Sequence, residues 1–445
     1  MGDEILQIRR GVLGPIREFP PGGLKLYPFT LFIGKQGTGK SLVSQILYFF
    51  RNLPFLVRFY RTHLGTDAGP EAIVRNALDE LRSARRAFGV FAAPSVSVVY
   101  IPAEGRAGLG IGMDRRNRRI VPHQRLREQI ERLVREGKGT PLGDAVYIPA
   151  ERVLYSHARG PDPWVILSAP STLRRFATIL EEVGETFANW PNGEPDTAEG
   201  RWVRAMGRQA LAGEAYRVGD YWKWDYGGEE RLDIDMASSG QKANWPIVLL
   251  AEALFSWRRD REIPPDFALH VEEPEIHLHP DAQVAMVKIL AYLVNHGFRV
   301  LVTTHSLIVL YTLNNLLAAS EVEAAEPGIP EPEVRLKPGM VGAYFFGEDG
   351  VVKTLVDEET GWISEAELAE TGERLMVEAN RIDVLMTYGR LNALASPNTV
   401  FGTRIAYRVP MSPVLWKTNA LRGNWKSRFK GNGVNGCWFM TWRPT

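Results

Sequence analysis

At 445 residues the chain is long enough for two or three domains and a large core. Hydrophobic residues are 45% and charged residues 24%, with 53 Lys and Arg against 52 Asp and Glu, so a formal charge of +1 gives no global pull toward nucleic acid or a membrane surface. The single cysteine, Cys437, excludes an internal disulfide framework, and the sequence carries neither a basic-then-apolar leader nor an apolar run near the ~20 residues that span a bilayer, so a cytoplasmic protein without membrane contact is expected.

Residues 5–8 alternate like a strand, 11–15 turn, and 24–26 alternate again, which predicts an antiparallel sheet laid against the core. The apolar run 29–33 reads as a buried strand and delivers Gly34-Lys35-Gln36-Gly37-Thr38-Gly39-Lys40-Ser41, after which 42–50 read as an apolar helix. A nucleoside triphosphate needs a cradle of converging backbone N–H groups, and glycine lets the backbone turn and approach that closely. A helix starting near Gly39 aims its positive end at the phosphates, Lys40 reaches the β and γ oxygens, and Ser41 ligates Mg²⁺. The predicted nucleotide contacts are Gly34, Lys35, Gln36, Gly37, Thr38, Gly39, Lys40, Ser41 and Leu42.

Residues 71–88 read as a helix carrying Arg75, Arg82, Arg85 and Arg86, a face that is ordinarily solvated, with DNA contact as the other reading. Residues 98–104 and 145–151 echo each other as strands stopped by proline, either a short duplication or two similar strand ends. The basic segment between them, 115–119 followed by 124–136, is predicted helical. Helices are then expected at 172–189 and 200–211, followed by aromatic strands at 216–226 and 231–235 with a turn at Gly227-Gly228.

Ala237-Ser238-Ser239-Gly240-Gln241-Lys242 precedes an apolar helix at 246–255, and small residues there leave free N–H groups that suit either a cap or an anion. The buried strand 267–271 runs into Glu272-Glu273-Pro274-Glu275. Carboxylates at such a strand end are costly unless they face a cation or water, so Glu272 is expected to hold Mg²⁺ through its waters and Glu273 to activate the attacking water. His277 and His279 lack a third zinc ligand in the sequence. Another buried strand, 299–304, ends in His305-Ser306, placing an imidazole where it can hydrogen-bond a γ-phosphate.

In this order the motifs resemble those of the ABC-type ATPase superfamily: the phosphate loop its Walker A, Ser238-Ser239-Gly240-Gln241 its signature, Glu272-Glu273-Pro274-Glu275 its Walker B, His277-Leu278-His279-Pro280 its D-loop and Thr303-Thr304-His305-Ser306 its H-loop. Within it the chain is most similar to the soluble RecF/SMC-like and OLD-like branch (AAA family), to which Tyr147-Ile148-Pro149-Ala150-Glu151-Arg152 also points. The resemblance implies an α/β P-loop NTPase fold with a mixed central sheet flanked by helices, an antiparallel β subdomain and a helical insert. It also implies ATP and Mg²⁺ as ligands, and a head-to-tail homodimer in which Ser239 and Gly240 contact ATP bound to the partner. Gln124 and the Glu151-Arg152 pair are the Q-loop candidates, and the D-loop role falls near His279. The insert is too short for SMC coiled coils, and the roughly 140 residues after His305 lack the Asp-x-Asp cluster of an OLD-type Toprim nuclease.

The expected divisions are 1–160 and 214–390 as two parts of an ATPase head, 161–213 as the helical insert, and 391–445 as a basic, aromatic tail. That tail, free of Asp and Glu from 396 on, suits DNA contact, an ordered contact with a partner, or an extension with no fixed structure. Two functions follow from the resemblance: an ATPase coupling hydrolysis to action on DNA in phage defence or repair, and a regulatory ATPase controlling a separate effector such as a nuclease, as in Septu-type defence.

Overall fold

The computed structural model describes residues 3–394 apart from 65–68, 80–95, 104–107, 115–118, 138–141, 156–170, 220, 228–230, 261, 323–326 and 358. Strands β1 (Glu4–Arg10), β2 (Leu24–Leu26) and β3 (Phe29–Gly34) lead into helices α1 (Lys40–Arg51), α2 (Leu53–Leu64) and α3 (Pro70–Asp79). Next come β4 (Ser97–Ile101), β5 (Leu109–Asp114), β6 (Arg119–Pro122), α4 (Gln124–Glu136) and β7 (Ala145–Ile148). Helices α5 (Ser171–Asn189) and α6 (Ala198–Leu211) precede β8 (Glu214–Val218), β9 (Tyr221–Asp225), β10 (Arg231–Asp233) and the long α7 (Ser239–Arg259). The order closes with β11 (Ala268–Glu272), α8 (Pro280–Asn295), β12 (Arg299–Thr304), α9 (Leu307–Ala319), β13 (Val341–Phe346), β14 (Val352–Thr354) and α10 (Ala366–Leu394).

The fold is α/β around a six-stranded sheet in the order β14-β13-β3-β12-β11-β7, parallel except for β14. Only β12 separates the strand that feeds the phosphate loop from the strand that ends in the glutamates. All three strands therefore open their C-terminal ends on one edge, where ligands of parallel sheets bind. Both faces of this sheet are covered, which is why β3 reads as an apolar run interrupted only by Thr30. Phe29, Leu31 and Ile33 point into a core shared with α5 to α9, and Phe32 into a second core shared with α1 to α4. Complete burial of each such side chain stabilises the fold by roughly 1.5–3 kcal/mol.

The predicted antiparallel sheet is present, with strand order β2-β1-β4-β5-β6. The echoing segments 98–104 and 145–151 supply β4 to this sheet and β7 to the edge of the central one. The segment expected to be helical from 115 differs: Arg119 opens β6, which pairs with β5 as a hairpin, and only 124–136 is helical. Glycines explain it, because the His123 ring lies where Gly110 would carry a Cβ, 2.1 Å from its Nδ1, so β5 accepts a side chain across its face. The aromatic stretch 216–226 is likewise two strands, β8 and β9, paired across a turn at Gly219, whose φ is 60°. Arg82, Arg85, Arg86, Arg115, Arg116, Arg118, Gly228, Cys437 and the tail from 395 lie outside the described residues.

At the far end of α1 from the phosphate loop, Glu4 is buried and accepts hydrogen bonds from Arg51 Nε and Nη2 (2.8 and 2.9 Å), Tyr100 Oη (2.7 Å) and Arg299 Nη1 (2.8 Å). Burial alone would push this carboxyl up, yet these donors hold it below its usual value. Arg51 also donates to His270 Nε2 (3.1 Å), so Nδ1 carries the imidazole proton toward Ser44 Oγ at 3.1 Å. The chain divides into compact units of residues 1–370 and 371–445. In the second, residues 371–394 are helical and expose Met376, Val377, Ile382, Val384, Leu385 and Met386. No helix among the described residues is long and apolar enough to cross a membrane.

Candidate active site

The phosphate loop owes its course to backbone that only glycine adopts. At Gly34 (φ +150°) an added Cβ would stand 2.5 Å from the carbonyl oxygen of Phe346 on β13, and Gly39 caps α1 in the left-handed region at φ 98°. No side chain caps α1, so its first-turn N–H groups stay open. Lys40 is buried and donates from Nζ to the carbonyls of Gly34 (2.8 Å) and Lys35 (2.7 Å). Burial pushes its pKa down to about 8, while Glu273, Glu275 and Glu272 pull the other way. Thr38 Oγ1 donates to Lys35 O at 2.8 Å, Lys35 pairs with Glu348 at 2.6 Å, and Gln36, Gly37 and Ser41 are exposed. Leu42, by contrast, packs in the core behind the loop.

On β11, Glu272 is buried and accepts the Ala150 N–H at 3.2 Å. Burial raises its pKa, and the neighbouring hydroxyls of Ser41 and Tyr147 and the Ala150 N–H act against the rise. No lysine or arginine forms an ion pair with it among the described residues. A buried carboxylate beside the exposed Ser41, with no ion pair of its own among the described residues, fits a divalent metal ion. Glu273 leaves the strand in the left-handed region (φ 43°), at a cost on the order of 1–2 kcal/mol, and its N–H donates to Thr303 O at 2.8 Å. Its Oε1 stands 3.5 Å from His305 Nε2. Glu275 turns to β12 instead, where Oε1 accepts the Thr304 hydroxyl and the His305 N–H (3.1 Å).

At the start of α7, Ser238 and Gln241 form a reciprocal cap, with Gln241 N donating to Ser238 Oγ (3.3 Å) and Ser238 N to Gln241 Oε1 (2.9 Å). Ser238 and Ser239 are exposed and Gly240 is buried. Lys40, Glu272, Glu273 and His305 thus share one edge of the sheet. No hydrogen bond joins Ser239 or Gly240 to residues 34–41 among the described residues.

Residues 168–310 match the family model of an AAA ATPase domain. This ATPase segment contains Ser239, Gly240, Glu272, Glu273 and His305, and leaves the phosphate loop outside it. No curated protein matches the chain. Among solved structures the chain is similar to an SMC head bound to the C-terminal winged-helix domain of ScpA, at 13% identity and a TM-score of 0.40, covering 80% of this chain and 97% of that one. It is similar also to the SMC head domain from Thermotoga maritima, at 12% identity and a TM-score of 0.37, covering 80% and 98%.

Of the Q-loop candidates, Gln124 is exposed on α4 and donates to Glu128, and Glu151 is exposed, whereas Arg152 lies fully buried behind the ATPase segment's glutamates. His277 and His279 are exposed, His279 capping α8, and no three His, Cys, Asp or Glu side chains cluster to hold a metal among the described residues. Sequence reasoning missed Asn244, the work of Glu275, and Gln283, whose Oε1 accepts the Ser306 hydroxyl at 2.8 Å. The available signal was the Glu-Glu-Pro-Glu run itself, whose third carboxylate needs a partner of its own.

Proposed function

We propose that the chain is an ABC-type ATPase of the RecF/SMC-like and OLD-like kind that binds ATP at residues 34–42, closes as a head-to-tail homodimer around it, and couples hydrolysis to action on DNA in phage defence or repair. The observation that carries this reading is the shared sheet edge, where Lys40 is depressed in pKa beside Glu272, Glu273 and Glu275, and Glu273 lies 3.5 Å from His305. Lys40 exchanges its two carbonyl acceptors for β- and γ-phosphate oxygens. Glu273 accepts a proton from the attacking water, and His305 hydrogen-bonds the γ-phosphate and keeps Glu273 aimed. Ser41 and Glu272 would hold Mg²⁺, which when bound neutralises charge on the phosphates. Ser239 and Gly240, at the exposed end of α7, serve the ATP of the partner protomer.

Steady-state ATP hydrolysis by the full chain with Mg²⁺, with and without single- and double-stranded DNA at moderate salt, tests it. Stimulation by DNA is expected. Turnover indifferent to DNA but altered by a co-purifying protein would favour a regulatory module that controls a separate effector such as a nuclease. No ATP hydrolysis under any condition would overturn both.

A further inference from the structure

Arg152 lies on a short 3-10 turn, Ala150–Tyr155, and its guanidinium is 0% exposed. Nε donates to Ala243 O (2.5 Å), Nη1 to Pro149 O (3.1 Å) and Glu272 O (2.6 Å), and Nη2 to Asn244 Oδ1 (3.1 Å) and Glu273 O (2.8 Å). A guanidinium has five N–H donors, and all five are used on neutral acceptors. No carboxylate pairs with it among the described residues, and burial pushes its pKa down to about 10 against the pull of Glu275, Glu272, Glu273 and Glu151. Burying an unpaired cation costs stability that an apolar side chain of equal volume would not, so the return is in position.

The acceptors fall on two elements that face different ligands in the proposed ATP sandwich. Ala243 and Asn244 are in the first turns of α7, whose exposed end would meet the partner's nucleotide. Glu272 and Glu273 face the chain's own phosphate loop. Asn244 extends the link, because its Nδ2 donates both to Gly240 O (3.0 Å) and to Ile276 O (2.9 Å), just beyond the glutamates. Gly240 is packed so closely there that an added Cβ would stand 2.5 Å from His277 O. The start of α7 therefore cannot shift without carrying residues 272–277 with it or breaking these bonds.

We propose that Arg152 and Asn244 are positioning residues that lock the start of α7 to the glutamate loop of the same protomer, so that engagement of Ser239 and Gly240 by a partner's nucleotide sets Glu273 against the chain's own γ-phosphate. This rests on the ATP-sandwich reading above and adds a route by which the two sites respond to each other. Neither side chain touches the phosphate loop by any hydrogen bond among the described residues, so loss of the link leaves nucleotide binding in place and misplaces the base. A misplacement of about 1 Å is enough to cost on the order of 10²-fold in rate.

The test compares wild type with Arg152→Lys, which keeps the charge but has three donors, and Asn244→Leu, which keeps the branched outline but severs Gly240 and Ile276. Three quantities are read: the Kd of a fluorescent ATP analogue, the melting temperature, and kcat with its dependence on ATP concentration. A fall in kcat of about tenfold or more with Kd within about twofold is expected, with any cooperativity in ATP seen for wild type lost. Unchanged kcat in both variants would overturn the link. Parallel loss of melting temperature and analogue binding in both would also overturn it, because the residues would then merely hold the fold. A wild type that binds the analogue but never hydrolyses ATP removes the ATPase reading itself, and is seen before any variant is compared.

Discussion

In the proposed site, Lys40 awaits a triphosphate with two carbonyl acceptors and a pKa of about 8. A triphosphate brings negative charge within its reach and raises that pKa, so binding near pH 8 takes up a proton and affinity falls as pH rises through 8. Calorimetric titration with ATP in two buffers of different ionisation enthalpy checks this, with buffer-dependent heat expected; heat and affinity indifferent to buffer and pH would contradict it. Lys40→Ala should abolish both the uptake and most of the binding. That Lys40, Glu272 and Glu273 end on one edge of the sheet follows from motifs readable in the sequence at fixed spacing, while the roles given to them and to Ser41 stand as proposed. Arg152 could be read only as half of a Q-loop candidate, since its acceptors on α7 and β11 lie 91 and 120 residues away.

Helices α6 and α7 are joined by a pair whose ionisation matters to their packing. Glu252 is 2% exposed on α7, and its Oε2 accepts from Arg204 Nε (3.0 Å) and Nη2 (2.8 Å) on α6. Burial pushes the Glu252 pKa up to about 8 despite Arg204, which also lies near Glu194 and Glu214. Raised from 4.5, the folded-state pKa makes the native state keep a proton that the unfolded chain releases. The stability it confers is complete below the unfolded value and fades as pH rises through about 8. Glu252→Gln should melt like wild type below about pH 4.5, increasingly above it as pH rises toward 8, and by a constant margin beyond; a difference that does not grow between those limits would contradict the shift. At this scale the sequence was most readable where one periodicity ran unbroken, as in β3, β12, α5 and α6. It was least readable at the β5–β6 hairpin, where arginines looked helical and the deciding fact, a histidine ring resting on Gly110, is a contact between elements.

Across the whole molecule, the parallel strands put the phosphate loop, the glutamates and His305 on one edge, and the capping pattern leaves Ser238 and Ser239 facing outward at the end of α7. The order of motifs along the chain foretold that edge. It could not foretell that β12 runs between the other two strands, because strand order depends on how long connections cross the sheet. If the outward end of α7 meets a second copy, Glu273→Gln should bind ATP, turn it over slowly and accumulate as a dimer in light scattering, since water activation is lost while the cradle remains. A variant that stays monomeric with full activity would remove Glu273 from its role.

The Glu4 carboxylate bears on how the protein is handled at the bench. Side chains from α1, β4 and β12 converge on this carboxylate, so a deletion that removes it leaves the buried Arg51 without its counter-charge. Breaking a buried pair in this way costs on the order of 3–5 kcal/mol. A preparation lacking Glu4 should lose melting temperature before any nucleotide is added, and Glu4→Gln should reproduce that loss. An inactive sample of that kind would report on a broken ion-pair cluster at the far end of α1, and not on the chemistry at the sheet edge.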